Sequence, residues 1–334
     1  MKNHPFQVSV VMPTYNRLPI LKRVLAGLAQ QTFPSDCFEV VVVSDGSTDG
    51  TNEYLQETET PFPLRLFIQQ NAGPAAARNR GVQEAGADLI LFLDDDVVPA
   101  PNLIEAHAAA HQQYPGEGVV FIGPMLSPTD FPLSPWVQWM QDRLAEQYQS
   151  MAAGEWEATA RQFYTGNASL PRHIFLEHHG FDVSLLRAED VELAFRLAEN
   201  GVAFQFCQEA AGYHYEQRTF ASWVGIAYAY GGNDVLFATE KGQSWLLPNL
   251  YKEYKQRNIL VRGLTRCCLD RKPLTAVMTQ LFKNLANFGA RLSLPGLSRV
   301  ACSSLFNLYY YQGVADKLGG RQLFFSAGGL NDGG

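Results

Sequence analysis

Residues 87–99 read ADLILFLDDDVVP, an apolar run that ends in three adjacent carboxylates, Asp94, Asp95 and Asp96. Leu89 to Leu93 has the length and composition of a fully buried strand, and Pro99 with Pro101 stops it from running on. The triplet therefore sits at the carboxyl end of a core strand. In an open α/β sheet that edge binds ligands, and three neighbouring like charges repel there unless a cation or the hydroxyls of a ligand fill the gap. A divalent metal accounts for the triplet with least else required. A solvated acidic turn that opens the next helix, with Asp96 near its N-terminus, accounts for it too.

Working outward, Val8 to Met12 reads as a first strand closed by Pro13, and Leu18 to Gln31 comes next with Leu18, Leu21, Val24, Leu25 and Leu28 at helical spacing. Phe38 to Val43 is a second buried strand ended by the polar turn SDGSTDG at 44–50, and Leu64 to Ile68 is a third. NAGPAAARNRGVQEAGA then supplies a Gly-Pro break and an Ala-rich helix leading into the acidic strand. Strands alternating with helices imply parallel pairing and right-handed crossovers, so the turns after each strand gather along one edge. Tyr15, Asp45, Arg78 and the triplet can converge there. Singly, Tyr15 reads equally as a surface aromatic, Asp45 as a brace of its own turn, and Arg78 as a solvated helix residue. Together they offer an aromatic face for a base, a carboxylate for a base N–H or ribose hydroxyl, a cation for phosphate, and acidic metal ligands. That set describes a nucleotide-diphosphate site.

Composition bounds the remaining choices. The chain has 334 residues, 46% hydrophobic, enough for a sizeable core in one large or two ordinary domains. Five cysteines without CxxC spacing argue against a disulfide framework and against a structural zinc site. The N-terminus passes into QVSVVMPTYNR with no room for a signal core, and no run approaches 18 apolar residues, so a cytoplasmic location without a membrane span is expected. The net charge of −7 is uneven: Tyr251 to Gly334 carries twelve basic against four acidic residues, +8, leaving −15 for the first 250.

The second half is less regular. Val119 to Ile122 reads as a strand, GPMLSPTDFPLSPW as a Pro-rich connection, and Val137 to Met151 as a helix. Trp136, Trp139, Trp156 and Phe163 either line an acceptor surface or pack. FYTGNASL places Gly166 and Asn167 at a turn, and Glu189 and Asp190 open an amphipathic helix stopped by Asn200-Gly201. Paired acids at a helix start complement its dipole whatever else they do. His214 stands alone in AAGYHYE, as a structural residue or as a ligand. Leu274, Val277, Met278, Leu281, Phe282, Leu285 and Phe288 make a long apolar stripe.

PTYNR, SDGSTDGT, NAGPAAARN and FLDDDV, in this order and at these separations, resemble the amino-terminal half of the inverting family-two glycosyltransferases, over Val8 to about Gly232. The resemblance implies an α/β GT-A fold, a mixed but mostly parallel sheet flanked by helices, with a helical C-terminal extension. It implies a glycosyltransferase domain over 1–235, with the nucleotide-sugar subsite in 1–125 and the acceptor and base subsite in 126–235, and the extension over 236–334. A donor subsite is expected from Pro13, Thr14, Tyr15, Asn16, Arg17, Asp45, Gly73, Arg78, Asp94 and Asp95, with Tyr15 stacked on the base. Mg²⁺ or Mn²⁺ is expected on Asp96 and Asp94, with His214 as a further ligand. Gly166, Asn167, Glu189, Trp136 and Trp139 are expected on the acceptor side, and Asp190 as catalytic base in an ED motif. Asp95 stands where the family often has a neutral residue, and Ser44 where it often has Asp. EQRTF at 216–220 is not the QxxRW of processive members, so single addition is expected, from a UDP-linked sugar to a glycan or lipid-linked acceptor. A sugar nucleotidyltransferase would want a Gly-rich loop where PTYNR has none, and a non-catalytic sugar-binding relative would need no base. The basic segment 251–334 lacks the dense Arg/Lys clusters of a nucleic-acid binder, and an anionic membrane surface suits it better, unless its stripe only packs on the catalytic domain.

Overall fold

The structure, a computed structural model, describes residues 6–115, 118–185 and 187–329. These fall into two compact units, one formed by residues up to Phe131 with Arg143–Glu216, the other by Pro132–Asp142 with the residues from Gln217 onward.

The first unit runs β1 (Val8–Thr14), α1 (Leu18–Leu28), β2 (Phe38–Ser44), α2 (Thr51–Glu57), β3 (Leu64–Ile68), α3 (Pro74–Glu84), β4 (Leu89–Leu93), β5 (Val97–Pro99), α4 (Leu103–Gln112), β6 (Val119–Ile122) and β7 (Met125–Leu126). After α5 (Pro135–Ala152) come β8 (Asn167–Pro171), α6 (Arg172–Glu177), α7 (Glu189–Glu199), β9 (Ala203–Phe206) and β10 (Gly212–His214). Seven strands form one sheet in the order β3-β2-β1-β4-β8-β6-β9, and β5-β10-β7 form a second. All pairs in the large sheet are parallel except those made by β8, which runs antiparallel to β4 and β6. Parallel strands covered on both faces read as unbroken apolar runs. Accordingly Val40 to Val43 and Ile90 to Leu93 are buried throughout.

Strand β2 runs one residue beyond the expected Val43 and α5 extends past both ends of Val137 to Met151, and two further boundaries differ for a local reason. The first strand runs through Pro13 to Thr14. Thr14 O accepts from Asp45 N on the β2 side, so the Pro13 nitrogen faces β4, whose pairing with β1 has already ended at Val11 opposite Phe92. The missing N–H therefore leaves no ladder bond unmade. The first helix stops at Leu28 rather than Gln31, because Gln31 turns its amide back to Gly27 O and Ala100 O. The acidic triplet does lie just beyond β4, but it leads into β5 and not into a helix.

The second unit contains α8 (Phe220–Glu240), α9 (Leu246–Gln256), α10 (Ile259–Cys268), α11 (Lys272–Arg291), α12 (Pro295–Leu318) and α13 (Arg321–Ala327). The stripe read on α11 is divided. Phe282 is buried and Met278 and Leu285 half-buried, whereas Leu274, Val277, Leu281 and Phe288 are exposed. Among the described residues no helix is long and apolar enough to cross a membrane.

This unit is organised on the crossing of α8 and α12, and the crossing is reciprocal. A Cβ on Gly231 would lie 1.9 Å from Tyr310 O, and one on Gly313 would lie 1.9 Å from Tyr228 O. Around these glycines Tyr310 Oη donates to Asp234 at 2.5 Å and Tyr228 Oη to Asp316 at 2.7 Å. The obstacle on each side is backbone, which no rotamer change relieves. Gly313→Ala should therefore cost about 3 kcal/mol, at the upper end of overpacking penalties, with a lowered melting temperature. Gly263→Ala, with nothing within 4 Å of its added methyl, should be near neutral or stabilising. Equal melting temperatures for the two variants would refute the close crossing.

Candidate active site

The carboxyl edge of β1, β2 and β4 gathers the conspicuous turns. Asn16, at φ 53°, accepts from Thr48 N at 2.7 Å while its own N–H donates to Ser47 Oγ at 3.1 Å, so the turn after β1 is bolted to the turn after β2. Asp49 receives Leu18 N at 3.0 Å and Thr51 N at 3.2 Å, serving the starts of α1 and α2 at once. Tyr15 is left 50% exposed. Asp45 is buried, and its carboxylate accepts from Gln69 Nε2 at 2.8 Å, Ala72 N at 2.9 Å and Gly73 N at 2.9 Å. It thus holds the NAGP loop, whose Gly73 (φ 90°) immediately precedes α3. The bracing role that sequence alone allowed for Asp45 is present here.

The triplet is partitioned by its contacts. Asp94 N donates to Gly166 O at 3.2 Å, and Asp94 Oδ1 receives Arg78 at 2.6 Å. Asp95 receives Thr14 Oγ1 at 2.7 Å and Arg17 at 3.2 Å. Asp96 also receives Arg17, and its Oδ1 lies 3.5 Å from His214 Nε2. The second sheet sets that last pair by register, since His214 stands opposite Val97 in the antiparallel β5–β10 ladder and Tyr215 N donates to Asp96 O at 2.8 Å. Gly166 sits close to this group: a Cβ there would lie 2.6 Å from Met125 Sδ and 3.1 Å from an Asp94 oxygen, so a side chain would have to displace the Met125 thioether.

Electrostatics here is set by burial and neighbours. Burial pushes the Asp95 carboxyl up to about 7, against Arg17 and with help from Asp96. Burial acts on Asp96 as well, but His214 and Arg17 outweigh it and hold that carboxyl below the usual range. Burial alone would lower His214, and Asp96 beside it raises it instead. Adjacent carboxylates are thereby split, one readily protonated and one firmly ionised.

On the far side of the edge, α7 begins with Glu189 and Asp190 after Ala188 at φ 61°. Arg78 joins the two sides, giving one N–H to Glu189 Oε1 at 3.1 Å and another to Asp94 at 2.6 Å. Its side chain is 7% exposed and its Nε has no partner in the described structure. Asp190 accepts its neighbour Val191 N at 2.8 Å. Burial, then the charge of Glu189, pushes Asp190 up to about 7. The placement of α7 depends on two residues to which the sequence assigned no role, Asn79 at the end of NAGPAAARN and Arg196. Asn79 donates to Phe181 O and accepts Phe181 N, both at 2.9 Å, clamping GFD against α3. Arg196 donates to Glu192 at 2.7 Å and to Gly180 O at 2.6 Å. An Asn inside a helix, where its propensity is poor, and a Glu-Arg pair at i,i+4 were the available signals.

Three of the residues expected on the acceptor side are engaged within the structure. Asn167, fully buried, spends its amide on Pro124 O, Ala210 O and His107, so its side chain holds strands together. Trp136 and Trp139 belong to the helical unit, where Trp136 packs on Phe220 and Trp139 on Trp223 and Phe306.

Among the described residues no three His, Cys, Asp or Glu side chains converge as a ready metal cage. Asp96 Oδ1 and His214 Nε2, 3.5 Å apart, nonetheless supply a carboxylate oxygen and an imidazole nitrogen. That donor pair suits Mn²⁺ or Mg²⁺ when substrate phosphates and water complete the shell, so the residues present fit the ion.

The Arg78 bridge generates a stability prediction. Arg78→Met leaves Glu189 buried and unpaired and should cost about 3 kcal/mol or more in urea unfolding. Adding Glu189→Gln should return part of it. A cost below about 1 kcal/mol for Arg78→Met would mean the carboxylates do not need the bridge.

Comparison with known proteins fits this geometry. The sequence profile of Glycosyl transferase family 2 matches residues 9–178. Validoxylamine A glucosyltransferase of Streptomyces hygroscopicus subsp. jinggangensis is 34% identical over 237 residues, covering 63% of this chain and 56% of that protein. The chain therefore spans little more than half of that relative's length. Glycosyltransferase AglE of Haloferax volcanii is 28% identical over 251 residues, covering 74% and 76%. Among solved structures, mannosyltransferase PcManGT from Pyrobaculum calidifontis, in complex with GDP-Man and Mn²⁺, superposes with a TM-score of 0.60 at 19% identity, covering 95% of this chain and 88% of that one. S. aureus TarS 1–349 in complex with UDP gives 0.56 at 19%, covering 94% and 92%. With its profile match and its mixed, mostly parallel sheet, this chain belongs to glycosyl transferase family 2 and has the GT-A fold.

Proposed function

We propose that this chain transfers one sugar from a nucleotide-diphosphate sugar, with a UDP-linked donor favoured, to a hydroxyl of a glycan or lipid-linked acceptor, with inversion and with Mg²⁺ or Mn²⁺. The observation that carries the reading is the Arg78 bridge from Asp94 of the acidic triplet to Glu189 at the start of α7, which sets beside the triplet the next carboxyl, Asp190, pushed by burial up to about 7. Solved relatives bound to UDP, UDP-GlcNAc and GDP-Man support a nucleotide-sugar donor.

In this reading the NAGP loop held by Asp45, together with Tyr15 and its turn, receives the nucleoside. Arg17 directs positive charge toward the diphosphate, and Arg78 keeps Asp94 and Glu189 in place from beneath. Asp96 and His214 would hold the divalent ion, which when bound would supply Lewis-acid stabilisation of the leaving diphosphate. Asp190 takes the proton of the acceptor hydroxyl as its oxygen bonds to C1 and the bond from C1 to the diphosphate oxygen breaks on the opposite face. One displacement inverts the anomeric centre, and no residue has to form a covalent intermediate.

Asp190→Asn should keep donor affinity and lose transfer by at least about 10²-fold, the general-base contribution. In the wild type the base must be ionised. kcat/KM should therefore rise with pH through about 7, dropping about tenfold per unit below it, and the residual activity of Asp190→Asn should lack that limb. A variant with wild-type turnover, or a wild-type profile flat down to pH 5, would remove Asp190 from the role. The raised value also carries a stability sign. The fold disfavours the ionised form, so this group's contribution weakens as pH rises from about 4 to about 7.

Chelation supplies an independent check. Transfer should vanish in EDTA and return with Mn²⁺ or Mg²⁺, and His214→Ala should raise the metal concentration needed for half-maximal activity by about tenfold or more. Full turnover in metal-free buffer would remove Asp96 and His214 from the role of ligands.

A further inference from the structure

The helical unit keeps in water an apolar band that its own core does not use. On α11, Phe282, Ala286 and Gly289 are buried. Beside that stripe Leu274, Val277, Leu281 and Phe288, at i, i+3, i+7 and i+14, form a second one, with Val277 64%, Leu281 55% and Phe288 54% exposed. Leu292 and Leu294 continue it through the turn into α12, where Val300 is exposed too. Isolated exposed leucines are ordinary, but a contiguous run on one helix face and its adjoining turn marks a contact surface.

Charge identifies the occupant. Residues 271–300 contain Arg271, Lys272, Lys283, Arg291 and Arg299 and no acidic residue, a net +5. All but the half-buried Lys283 are exposed. Pairing two copies through this band would set +5 against +5. The first unit has the negative charge to complement it, but its exposed large apolar residues, such as Tyr15, Ile68, Leu176 and Tyr213, sit on separate elements and make no matching stripe. A nucleic acid would neutralise the arginines and leave the aliphatic side chains wet. A surface with anionic headgroups over an apolar interior satisfies both features, because the long basic side chains reach headgroups while the neighbouring Leu, Val and Phe enter the acyl boundary.

We propose that α11 and the turn leading to α12 dock this chain peripherally on an anionic lipid bilayer, with Val277, Leu281, Phe288, Leu292 and Leu294 in the interface and Arg271, Lys272, Arg291 and Arg299 among the headgroups. Docking is a property of the second unit alone and does not depend on the transfer reaction.

Flotation of the full chain with phosphatidylcholine vesicles, with and without phosphatidylglycerol, tests this directly. At low salt the protein should float with the anionic vesicles only, and raised salt should release it. Leu281→Ser with Phe288→Ser should weaken binding at least about tenfold, and Arg291→Gln with Arg299→Gln about fivefold per charge removed. The four side chains are exposed, and unchanged melting temperatures would show that the variants are folded. Three results overturn the proposal: no flotation of the wild type with anionic vesicles at low salt; undiminished binding by the Leu281/Phe288 variant; or a dimer in solution that this variant dissolves while vesicles go unbound, which would make a second copy the occupant.

Discussion

Five carboxyl groups, Asp94, Asp95, Asp96, Glu189 and Asp190, are drawn to one sheet edge, and their mutual repulsion is the constraint the first unit is built to satisfy. Unscreened like charges at such separations are costly in a medium less polar than water. The structure meets the cost in three ways. Arg78 bridges Asp94 and Glu189, Arg17 and His214 attend Asp95 and Asp96, and burial lifts Asp95 and Asp190 to about 7 so that protonation is within reach. What remains is an edge of partly compensated carboxyls beside the NAGP loop that Asp45 holds. That combination calls for a cation and for an anion that binds with it.

The scaffold can be ranked by how directly it serves this edge. β4 delivers the triplet because its pairing with β1 and β8 ends where the carboxylates begin, at Phe92 and Leu93. The small β5-β10-β7 sheet folds the chain after the triplet back across it, which is how His214, more than a hundred residues downstream, comes to face Asp96. Asn79 and Arg196 do for α7 what those ladders do for the strands. Each satisfies main-chain groups of the segment around residues 178–181, so the helix start bearing Glu189 and Asp190 cannot drift from α3 without leaving them unpaired.

Much of this edge was legible from residue order. Buried parallel strands announce themselves as unbroken apolar runs, and SDGSTDGT and NAGP carry the turn chemistry of their positions, so the strands β1 to β4 and the clustering of their turns could be read from local pattern. The contacts made by side chains could not. Nothing local says that Asp49 serves two helices, that Asp45 is engaged by backbone N–H groups of the next loop, or that Asn167 is consumed as a strap, because those depend on segments 27 to 60 residues away. The stripe on α11 shows the other limit of pattern reading. Period gives the angular width of an apolar face, but not how much of that width a neighbour covers, and here α12 covers only the side of Phe282, Ala286 and Gly289.

The two arginines of the edge differ in a way that bears on the proposed reaction. Arg78 has a 7% exposed side chain locked between two carboxylates, whereas that of Arg17 is 44% exposed and reaches Asp95 and Asp96 from the rim. A sealed bridge cannot turn to a ligand without stranding the buried Glu189 and unpairing the half-buried Asp94, so Arg78 is suited to holding both in place. Arg17 itself gives up little by turning, because water already screens it, but the buried Asp95 and Asp96 then need another partner. In the proposed reaction a divalent cation entering with the diphosphate would compensate Asp96, and Arg17 would be free to turn to the phosphate charge. On that proposal the net charge of the site would stay nearly constant from the empty to the loaded state, and Asp190 would meet the acceptor in a field set mainly by Glu189 and Arg78, which need not move.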